Sequence, residues 1–290
     1  MKTIAWIGTG VMGAAMARHL KNQGHIVYAY NRTAAKAKAL EEYGIIACPT
    51  IAQTVKDADV IFTMVGFPSD VKEVFYGEEG IFDHAKRGAI VIDMTTSSPV
   101  LAKQLFDDGA KKDISVLDAP VSGGDVGARN ATLSIMVGGD EAIYQQVVPL
   151  FEALGKNINY MGSSGCGQHT KMANQIAVAG ATAAMSEAIV YAQAVGLNPA
   201  KMLAAISSGA AGSWQLTNSA PRVLNQDFAP GFFIKHFVKD MKIAKESIEH
   251  HNINLDMLNT VYAMYEALMR DGFENDGTQA LIQYYRNEAK

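Results

Sequence analysis

The chain has 290 residues, of which 49% are hydrophobic and 19% are charged, a composition typical of a globular protein with one large or two medium domains. Its net charge of -4 and pI of about 6.0 argue against a nucleic-acid-binding surface. No uninterrupted apolar run approaches the roughly 20 residues that span a bilayer, so we expect neither nucleic acid nor membrane as a partner. Two separate cysteines, Cys48 and Cys166, and an N-terminus without signal-peptide features predict a cytoplasmic protein.

The first half of the chain alternates between strand-like and helix-like segments. Short apolar segments predict strands at 2–8, 25–31, 58–66, 88–94, 114–120 and 132–139. Helical segments lie between them at 11–24, 33–44, 69–76, 99–111 and 140–154. Apolar strands that alternate with helices predict a mostly parallel sheet. Residues 1–163 are therefore predicted to form a doubly wound α/β domain.

The strand signal disappears after about residue 163, and the rest of the chain is predicted to be helical. A long helix rich in Ala and Gly covers 169–196, and Asn198-Pro199 begins the next helix with an N-cap and a proline in its first turn. Further helices are predicted at 214–225, 239–252, 256–271 and 277–288. We therefore predict an all-α C-terminal domain, residues 164–290, joined to the first domain by the long helix.

A glycine-rich turn follows the first predicted strand and opens the first predicted helix. The turn has the pattern G-x-G-x-x-G and consists of Gly8, Thr9, Gly10, Val11, Met12 and Gly13. Gly8 permits a tight turn, Gly10 lets the backbone approach a pyrophosphate, and Gly13 permits close packing of the helix on the strand. A purely structural turn is the alternative, but the position at the first βα turn favours a Rossmann-type dinucleotide site.

The end of the second predicted strand distinguishes between the two nicotinamide cofactors. A carboxylate there binds the ribose of NAD, whereas an arginine binds the 2′-phosphate of NADP. The chain has Asn31, Arg32 and Thr33 at this point, and none of them is a carboxylate. The structural alternative is that Thr33 only caps the next helix and that Arg32 is solvated. We predict NADP as the cofactor, with NAD as the alternative.

A second glycine loop, DAPVSGG, runs from Asp118 to Gly124 at the end of a predicted strand. Ligands of open α/β sheets bind at the carboxyl ends of the strands. The hydroxyl of Ser122 and the unobstructed backbone N–H groups of Gly123 and Gly124 suit a carboxylate ligand. A plain turn is the alternative.

Lys171 lies on the long helix, in an otherwise apolar neighbourhood. At helical spacing Lys171, Asn174 and Gln175 share one face. The apolar side chains form a separate stripe, which consists of Met172, Ile176 and Ala179. A solvated polar face is one explanation. The other is that this helix passes the ligand edge of the sheet, where a lysine can protonate a carbonyl oxygen as a hydride arrives.

Four motifs, in this order, resemble the β-hydroxyacid dehydrogenase family, which includes 3-hydroxyisobutyrate dehydrogenase, tartronate semialdehyde reductase and glyoxylate/succinic semialdehyde reductase. The motifs are IGTGVMGAAMARHL, DAPVSGG, GQHTKMANQ and PGFFIKHFVKD. The resemblance covers nearly the whole chain. It implies transfer of a hydride between NADP(H) or NAD(H) and a small 3-hydroxy acid or its semialdehyde. It also implies a homodimer or homotetramer built on the all-α domain.

The resemblance implies roles for individual residues. The implied catalytic residues are Lys171, as acid and base, and Asn174, which orients the lysine or the substrate hydroxyl. The implied substrate-binding residues are Ser122, Gly123 and Gly124, which hold the substrate carboxylate, and Thr96, which lies near the nicotinamide and the substrate. Besides the glycine turn and Asn31 to Thr33, the implied cofactor-binding residues are Met64, Val65, Thr96 and Lys239. Without the resemblance, the sequence around Lys239 would predict a solvated basic stripe that includes this residue. No cluster of His, Asp and Glu predicts a metal site.

Other functions share this architecture. A 6-phosphogluconate dehydrogenase is also related, but its helical domain is usually much longer than residues 164–290. Imine reductases commonly have an aspartate or tyrosine in place of the lysine, so Lys171 argues against that activity. A non-catalytic dinucleotide-binding or chromatin-reader module is an alternative of a different class. The presence of both Lys171 and Ser122 and the lack of an appended domain argue against it.

Overall fold

A computed structural model of the chain describes residues 1–288. The chain forms two compact units, one from Met1 to Lys171 and a second that begins at Met172. The predicted domain boundary lies at 163/164, whereas the division between the two units falls a few residues later, inside a helix.

The first unit contains a sheet of nine strands. The strands are β1 (Thr3–Ile7), β2 (Ile26–Tyr30), β3 (Ile46–Ala47), β4 (Val60–Thr63), β5 (Ile90–Asp93), β6 (Ser115–Asp118), β7 (Val121–Ser122), β8 (Leu133–Gly138) and β9 (Gly155–Gly162). Their order is β3-β2-β1-β4-β5-β6-β8-β7, and β9 pairs with β8. The pairs from β3 to β6 are parallel, whereas β8 runs antiparallel to β6 and β7. The predicted Rossmann-type, doubly wound sheet is confirmed.

The helices of the first unit cover both faces of this sheet. They are α1 (Gly13–Asn22), α2 (Ala34–Lys38), α3 (Ile51–Val55), α4 (Pro68–Tyr76), α5 (Ile81–His84), α6 (Pro99–Lys111), α7 (Gly124–Asn130) and α8 (Glu141–Glu152). Alternate side chains of β1 point to opposite faces. Trp6 stacks on Phe62 in one core cluster, with ring centroids 5.2 Å apart, and Ile7 packs with Ile61 in the other.

The sequence missed six short or atypical elements of this unit: β3, β7, β9, α3, α5 and α7. A two-residue strand and helices of four or five residues give too few repeats for periodicity to be visible. The edge strand β9 carries polar residues such as Lys156 and Asn157, so it lacks the apolar run of the central strands. The prediction of one helix over 33–44 was wrong. Helix α2 ends at Lys38 and a 3₁₀ turn follows at Glu41–Tyr43. The chain bends between them and buries Leu40 in the core.

The second unit is built of helices. The long helix α9 (Cys166–Ala194) begins in the first unit and continues into the second, where α10 (Pro199–Ile206), α11 (Ala220–Leu224), α12 (Ile234–Glu246), α13 (Asp256–Arg270) and α14 (Ile282–Glu288) follow. A π-helical turn, Gln215–Ser219, and 3₁₀ turns at Glu249–His251 and Thr278–Leu281 complete it. The prediction of a helix over 239–252 was wrong in its bounds. Helix α12 starts at Ile234 because Ile234, Phe237 and Met241 form its buried face.

The apolar stripe predicted on the long helix is confirmed. Met172 and Ala179 are buried in the core of the second unit, and Ile176 packs against the same cluster. Within residues 1–288, α9 is the one helix that is long and apolar enough to cross a bilayer by length and composition alone. Met185 and Ile189 of α9 are also buried among helices, as expected for the core helix of a globular domain.

Candidate active site

The sequence-predicted residues of the first unit converge on the carboxyl edge of the sheet. Strands β1, β4, β5 and β6 are parallel and in register at their ends, with Ile7 opposite Thr63, Thr63 opposite Asp93, and Asp93 opposite Asp118. The segments that follow these strands therefore begin side by side. They carry the glycine turn, then Met64 and Val65, then Thr96, and then Ser122, Gly123 and Gly124.

The glycine turn has the backbone geometry that the sequence predicts. Gly8 has a φ of +97°, and a Cβ there would lie 2.2 Å from the Met64 carbonyl oxygen. A Cβ on Gly13 would lie 2.0 Å from the Gly8 carbonyl oxygen, whereas a Cβ on Gly10 would meet nothing within 4 Å. Packing thus requires glycine at positions 8 and 13, whereas Gly10 borders open space just before α1.

Two observations in this turn fit a dinucleotide phosphate. The Thr9 hydroxyl is buried and has no hydrogen-bond partner in the described part of the chain. A buried hydroxyl without a partner is costly unless a ligand satisfies it. The N-terminus of α1 begins at the same turn, and helix N-termini attract anions. The residues present therefore fit the cofactor that the turn predicts.

The segment after β2 contacts the glycine turn. The Asn31 side-chain oxygen accepts a hydrogen bond from the Thr9 backbone N–H at 3.0 Å. Thr33 precedes α2, but its side chain makes no capping hydrogen bond, so capping does not explain this residue. The Arg32 side chain is 78% exposed and its Nη1 lies 3.3 Å from Oδ1 of Asp70 at the start of α4. Arg32 is thus accessible to a ligand at the end of β2.

Asp93 organises the loops after β4 and β5. Its Oδ1 accepts hydrogen bonds from the Thr63 hydroxyl at 2.7 Å and from the Thr95 backbone N–H at 3.0 Å. The Thr95 hydroxyl in turn accepts from the Val65 backbone N–H at 3.0 Å. Burial raises the pKa of Asp93 to about 6, although these hydrogen bonds act in the opposite direction. The carboxylate thereby fixes Val65 beside the segment that contains Thr96.

The second glycine loop forms a tight turn after β7. Ser122 pairs with Ser134 of β8 and is followed by Gly123 with a φ of +129° and Gly124 with a φ of +61°. Both φ angles lie in the region that favours glycine. The turn continues directly into α7, for which the sequence predicted no element.

Lys171 is buried, with 6% of its surface exposed. The solvated polar face that the sequence left open as an explanation is therefore wrong for this residue. Lys171 lies in the second turn of α9, and this helix begins beside β6 because the Asp118 carboxylate accepts the backbone N–H groups of Gly165 and Gln168, both at 2.8 Å. Burial raises the pKa of Asp118, and these two hydrogen bonds oppose that effect by favouring its ionised form.

In the second unit, Asn174 belongs to a chain of polar contacts. Its Nδ2 donates to Oε1 of Gln175 at 2.8 Å, and Nε2 of Gln175 donates to Oδ2 of Asp240 at 2.6 Å. The Lys239 ammonium lies 3.0 Å from Oδ1 of Asp240, and the Lys239 side chain is only 12% exposed. The solvated stripe expected without the family resemblance is thus wrong for Lys239, although Lys242 is 63% exposed.

Sequence reasoning missed Gln168, whose side chain is completely buried. Its Oε1 accepts a hydrogen bond from the Ser97 backbone N–H at 2.9 Å, and its Nε2 donates to the Thr95 carbonyl oxygen at 2.7 Å. Asp93 was missed as well. Two features of the sequence could have identified these residues. They are a glutamine three residues before the lysine and an aspartate at the end of a strand that is otherwise apolar. Among the residues that the structure describes, no group of three or more His, Cys, Asp or Glu side chains could hold a metal ion.

Comparison with known proteins assigns this arrangement to a family. Residues 3–162 match the family described as the NAD binding domain of 6-phosphogluconate dehydrogenase. Residues 165–285 match the family described as NAD-binding of NADP-dependent 3-hydroxyisobutyrate dehydrogenase. The chain belongs to the β-hydroxyacid dehydrogenase family. It is therefore an NAD(P)-dependent hydroxyacid oxidoreductase that acts on a small molecule, as the sequence predicted.

Several relatives match over almost their whole length. An uncharacterized oxidoreductase of Bacillus subtilis is 49% identical over 98% of this chain and 99% of its own. The 2-hydroxy-3-oxopropionate reductase of Escherichia coli is 37% identical over 97% of this chain and 96% of its own. The structure of Mycobacterium tuberculosis 3-hydroxyisobutyrate dehydrogenase with L-serine superposes with a TM-score of 0.90, at 28% identity, over 99% of both chains.

The imine reductases share the fold alone. The imine reductase from Pseudomonas sp. superposes with a TM-score of 0.64 at 17% identity. This level of identity gives no support to the alternative of imine reduction.

The buried Asp93 predicts an unusual pH dependence of stability. Because its pKa rises from 3.8 to about 6 on folding, the native state binds more protons than the unfolded state between these values. The contribution of Asp93 to the free energy of unfolding therefore falls as the pH rises through this window and stays low above it. The neutral isostere Asp93→Asn keeps an acceptor for Thr63 and Thr95. We expect it to raise the free energy of unfolding at neutral pH by up to roughly 3 kcal/mol.

Denaturant unfolding of wild type and Asp93→Asn between about pH 4 and about pH 7 measures this effect. The difference between the two proteins cancels the contributions of carboxylates that do not interact with Asp93, and it includes any change in the neighbouring Asp118. A difference that is constant across this range would mean that Asp93 does not titrate there.

Proposed function

We propose that the enzyme reduces small semialdehydes that carry a free carboxylate, with NADPH as the hydride donor, and oxidises the corresponding 3-hydroxy acids in the reverse direction. The observation that carries the proposal is the burial of Lys171 on a helix that starts at the carboxyl edge of the sheet. A lysine that is buried at the ligand edge lies where it can exchange a proton with the carbonyl oxygen of a bound substrate. The names of the relatives support the substrate class, because 2-hydroxy-3-oxopropionate is itself an aldehyde with a carboxylate.

In this proposal each end of the substrate has its own partner. The Ser122 hydroxyl and the backbone N–H groups of Gly123 and Gly124 hold the carboxylate. A bound nicotinamide would supply the hydride that reduces the carbonyl carbon. The Lys171 ammonium donates a proton to the carbonyl oxygen as negative charge develops there, and it takes the proton back in the oxidation. Asn174 orients the lysine or the hydroxyl, and Thr96 lines the space between nicotinamide and substrate.

The proposed cofactor is NADP rather than NAD. The proposed pyrophosphate-binding residues are Gly8, Thr9, Gly10, Val11, Met12 and Gly13. Arg32 contacts the 2′-phosphate, with Asn31 and Thr33 beside it, and Met64, Val65 and Lys239 contact other parts of the cofactor. The exposure of Arg32 supports this assignment. Its ion pair with Asp70 does not oppose it, because exposed ion pairs contribute at most about 1 kcal/mol and are easily exchanged for a phosphate.

We also propose a homodimer or homotetramer in the cytoplasm. The second unit exposes several large apolar side chains, which are Tyr191, Val195, Leu197 and Trp214. Exposed apolar surface of this kind is common at interfaces between subunits. The exposure of Trp214 argues against a role in the core of a single chain. Both cysteines are free, in keeping with a reducing compartment.

Replacing the acid tests the role of Lys171. Lys171→Met removes the proton donor, and we expect kcat to fall by roughly 10²–10⁴-fold with little change in NADPH affinity. Lys171→Arg keeps the charge but cannot release a proton at working pH, so we expect a similar loss of activity. Steady-state kinetics of NADPH oxidation with methylmalonate or tartronate semialdehyde measure both. The matched control is Lys201→Met, since Lys201 is exposed on α10. Near wild-type turnover of Lys171→Met would remove the residue from the mechanism.

Removing the guanidinium tests cofactor selection. Because Arg32 is proposed to bind the 2′-phosphate through a charge-assisted contact, Arg32→Ala should weaken NADPH binding by about 1.5–3 kcal/mol. NADH lacks this phosphate and should bind nearly as before. Titrations of cofactor fluorescence give both dissociation constants, with the exposed Arg87→Ala as a control. Equal losses for both cofactors would mean that Arg32 acts on the structure of the turn.

Esterifying the substrate tests the carboxylate anchor. The methyl ester of methylmalonate or tartronate semialdehyde keeps the aldehyde but removes the charge and leaves the donors of Ser122 to Gly124 unpaired. We expect kcat/KM to fall by roughly 10²-fold or more. The comparison is the acid against its own methyl ester under identical conditions. Equal reduction of both would refute the anchor and the substrate class that depends on it.

A further inference from the structure

Gln168 joins the first turn of α9 to the loop after β5. Its backbone N–H donates to the Asp118 carboxylate at 2.8 Å, so the helix start is fixed to the end of β6. Its side-chain amide spans the loop on either side of Thr96, since it donates to the Thr95 carbonyl and accepts from the Ser97 N–H. One residue is therefore held by two neighbouring strand ends.

We propose that Gln168 is a positioning residue for catalysis, which keeps the Lys171 turn of α9 in register with the loop that carries Thr96. The inference rests on the proposed function, in which Lys171 supplies the proton and Thr96 borders the nicotinamide. Gln168 precedes Lys171 by three residues, so the two lie on the same side of the helix, one turn apart. A displacement of the first turn therefore moves the ammonium group directly.

The hydrogen-bonding pattern explains why this position carries an amide. The Thr95 carbonyl requires a donor and the Ser97 N–H requires an acceptor, and a primary amide offers both from one planar group. These contacts fix which end of the amide is nitrogen. An apolar residue would leave two buried backbone groups unpaired, and such groups are costly.

The same polar chain reaches the cofactor side of the sheet. The Thr95 hydroxyl accepts a hydrogen bond from the Val65 N–H, and the Thr95 N–H donates to the Asp93 carboxylate. Asp93 also accepts from the Thr63 hydroxyl. The segment proposed to contact the cofactor and the helix that carries the lysine are thus restrained by one buried set of hydrogen bonds. Each donor and acceptor in this set already has a hydrogen-bond partner, so the set has one arrangement in a close-packed site.

The variant Gln168→Glu distinguishes positioning from a general structural role. When protonated, the glutamate has an O–H that can donate to the Thr95 carbonyl and a second oxygen that can accept from the Ser97 N–H, so it reproduces the amide pattern. When ionised, it has no donor and brings a negative charge against a carbonyl oxygen. Burial raises the pKa of a carboxyl above its usual range. The variant should therefore be catalytically competent at low pH, and its activity should fall as the pH rises through the raised pKa of the introduced carboxyl.

The experiment measures kcat and both KM values as a function of pH for the wild type, Gln168→Glu and Gln168→Met. We expect the ratio of kcat between Gln168→Glu and wild type to approach one at the acidic end and to fall by about 10–10²-fold at the alkaline end, the scale for a misplaced catalytic group. Gln168→Met should be impaired to a similar extent at every pH. The KM for NADPH should remain close to the wild-type value in both variants.

Other titrating groups lie near this position, namely Asp93 and Asp118 at the strand ends and His169 and Lys171 on α9. They are present in all three proteins, so the ratio to wild type isolates the introduced carboxyl. The matched control is Gln146→Glu on α8, where the glutamine is exposed. Its ratio to wild type should be independent of pH. Circular dichroism at each pH shows whether the variants remain folded.

Two outcomes overturn the proposal. One is a pH profile of Gln168→Glu that parallels wild type. The other is a loss of kcat in both variants that is matched by the fraction of unfolded protein. A wild-type enzyme that reduces no semialdehyde would instead count against the proposed function. In that case amide hydrogen exchange still tests the positioning role of Gln168, because Gln168→Met should speed exchange at residues 95–97 and in the first turn of α9. Unchanged exchange there would refute the positioning role.

Discussion

The contact between the Asp118 carboxylate and the first turn of α9 determines where the longest helix of the chain begins. The first N–H groups of a helix have no partners within the helix, and Asp118 satisfies two of them from the end of β6. A Cβ on Gly138 would lie 2.6 Å from the Asp118 carboxylate, and one on Gly167 would lie 2.4 Å from the Met136 carbonyl oxygen. Glycine is therefore needed on both sides for the helix to approach the strands closely enough.

The carboxyl edge of the sheet buries two carboxylates, which a core that served stability alone would not need. Asp93 and Asp118 stand opposite each other in adjacent strands and both are buried, and burial raises the pKa of each. Ionised carboxylates in such a position cost free energy unless hydrogen bonds compensate for the lost water. Here the compensating donors come from the last residue of β4, from the loop after β5 and from the start of α9. The cost of burial is thus coupled to the ordering of the segments that form the candidate site.

The sequence predicted the sheet, the glycine turn and the burial stripe of α9 because each is encoded locally. Strands such as β4 are buried on both faces and appear as continuous apolar runs. Gly8 and Gly13 are recognisable because their spacing reflects the geometry of one turn. The role of Gln168 could not be predicted in this way. Its side chain contacts residues 71 and 73 positions earlier in the chain, and only the folded sheet brings those residues to it.

The two ends of the candidate site differ in how strongly their surroundings constrain them. Arg32 is largely exposed and paired with one carboxylate across a weak contact, so the proposed recognition of the 2′-phosphate rests on few interactions. Lys171 is buried on a helix whose first turn is held by Asp118 and whose neighbouring loop is held by Gln168. Changes at this end disturb several buried polar groups at once, and each of them costs free energy when left unpaired. The fold therefore holds the proposed proton donor more firmly than it holds the proposed determinant of cofactor choice.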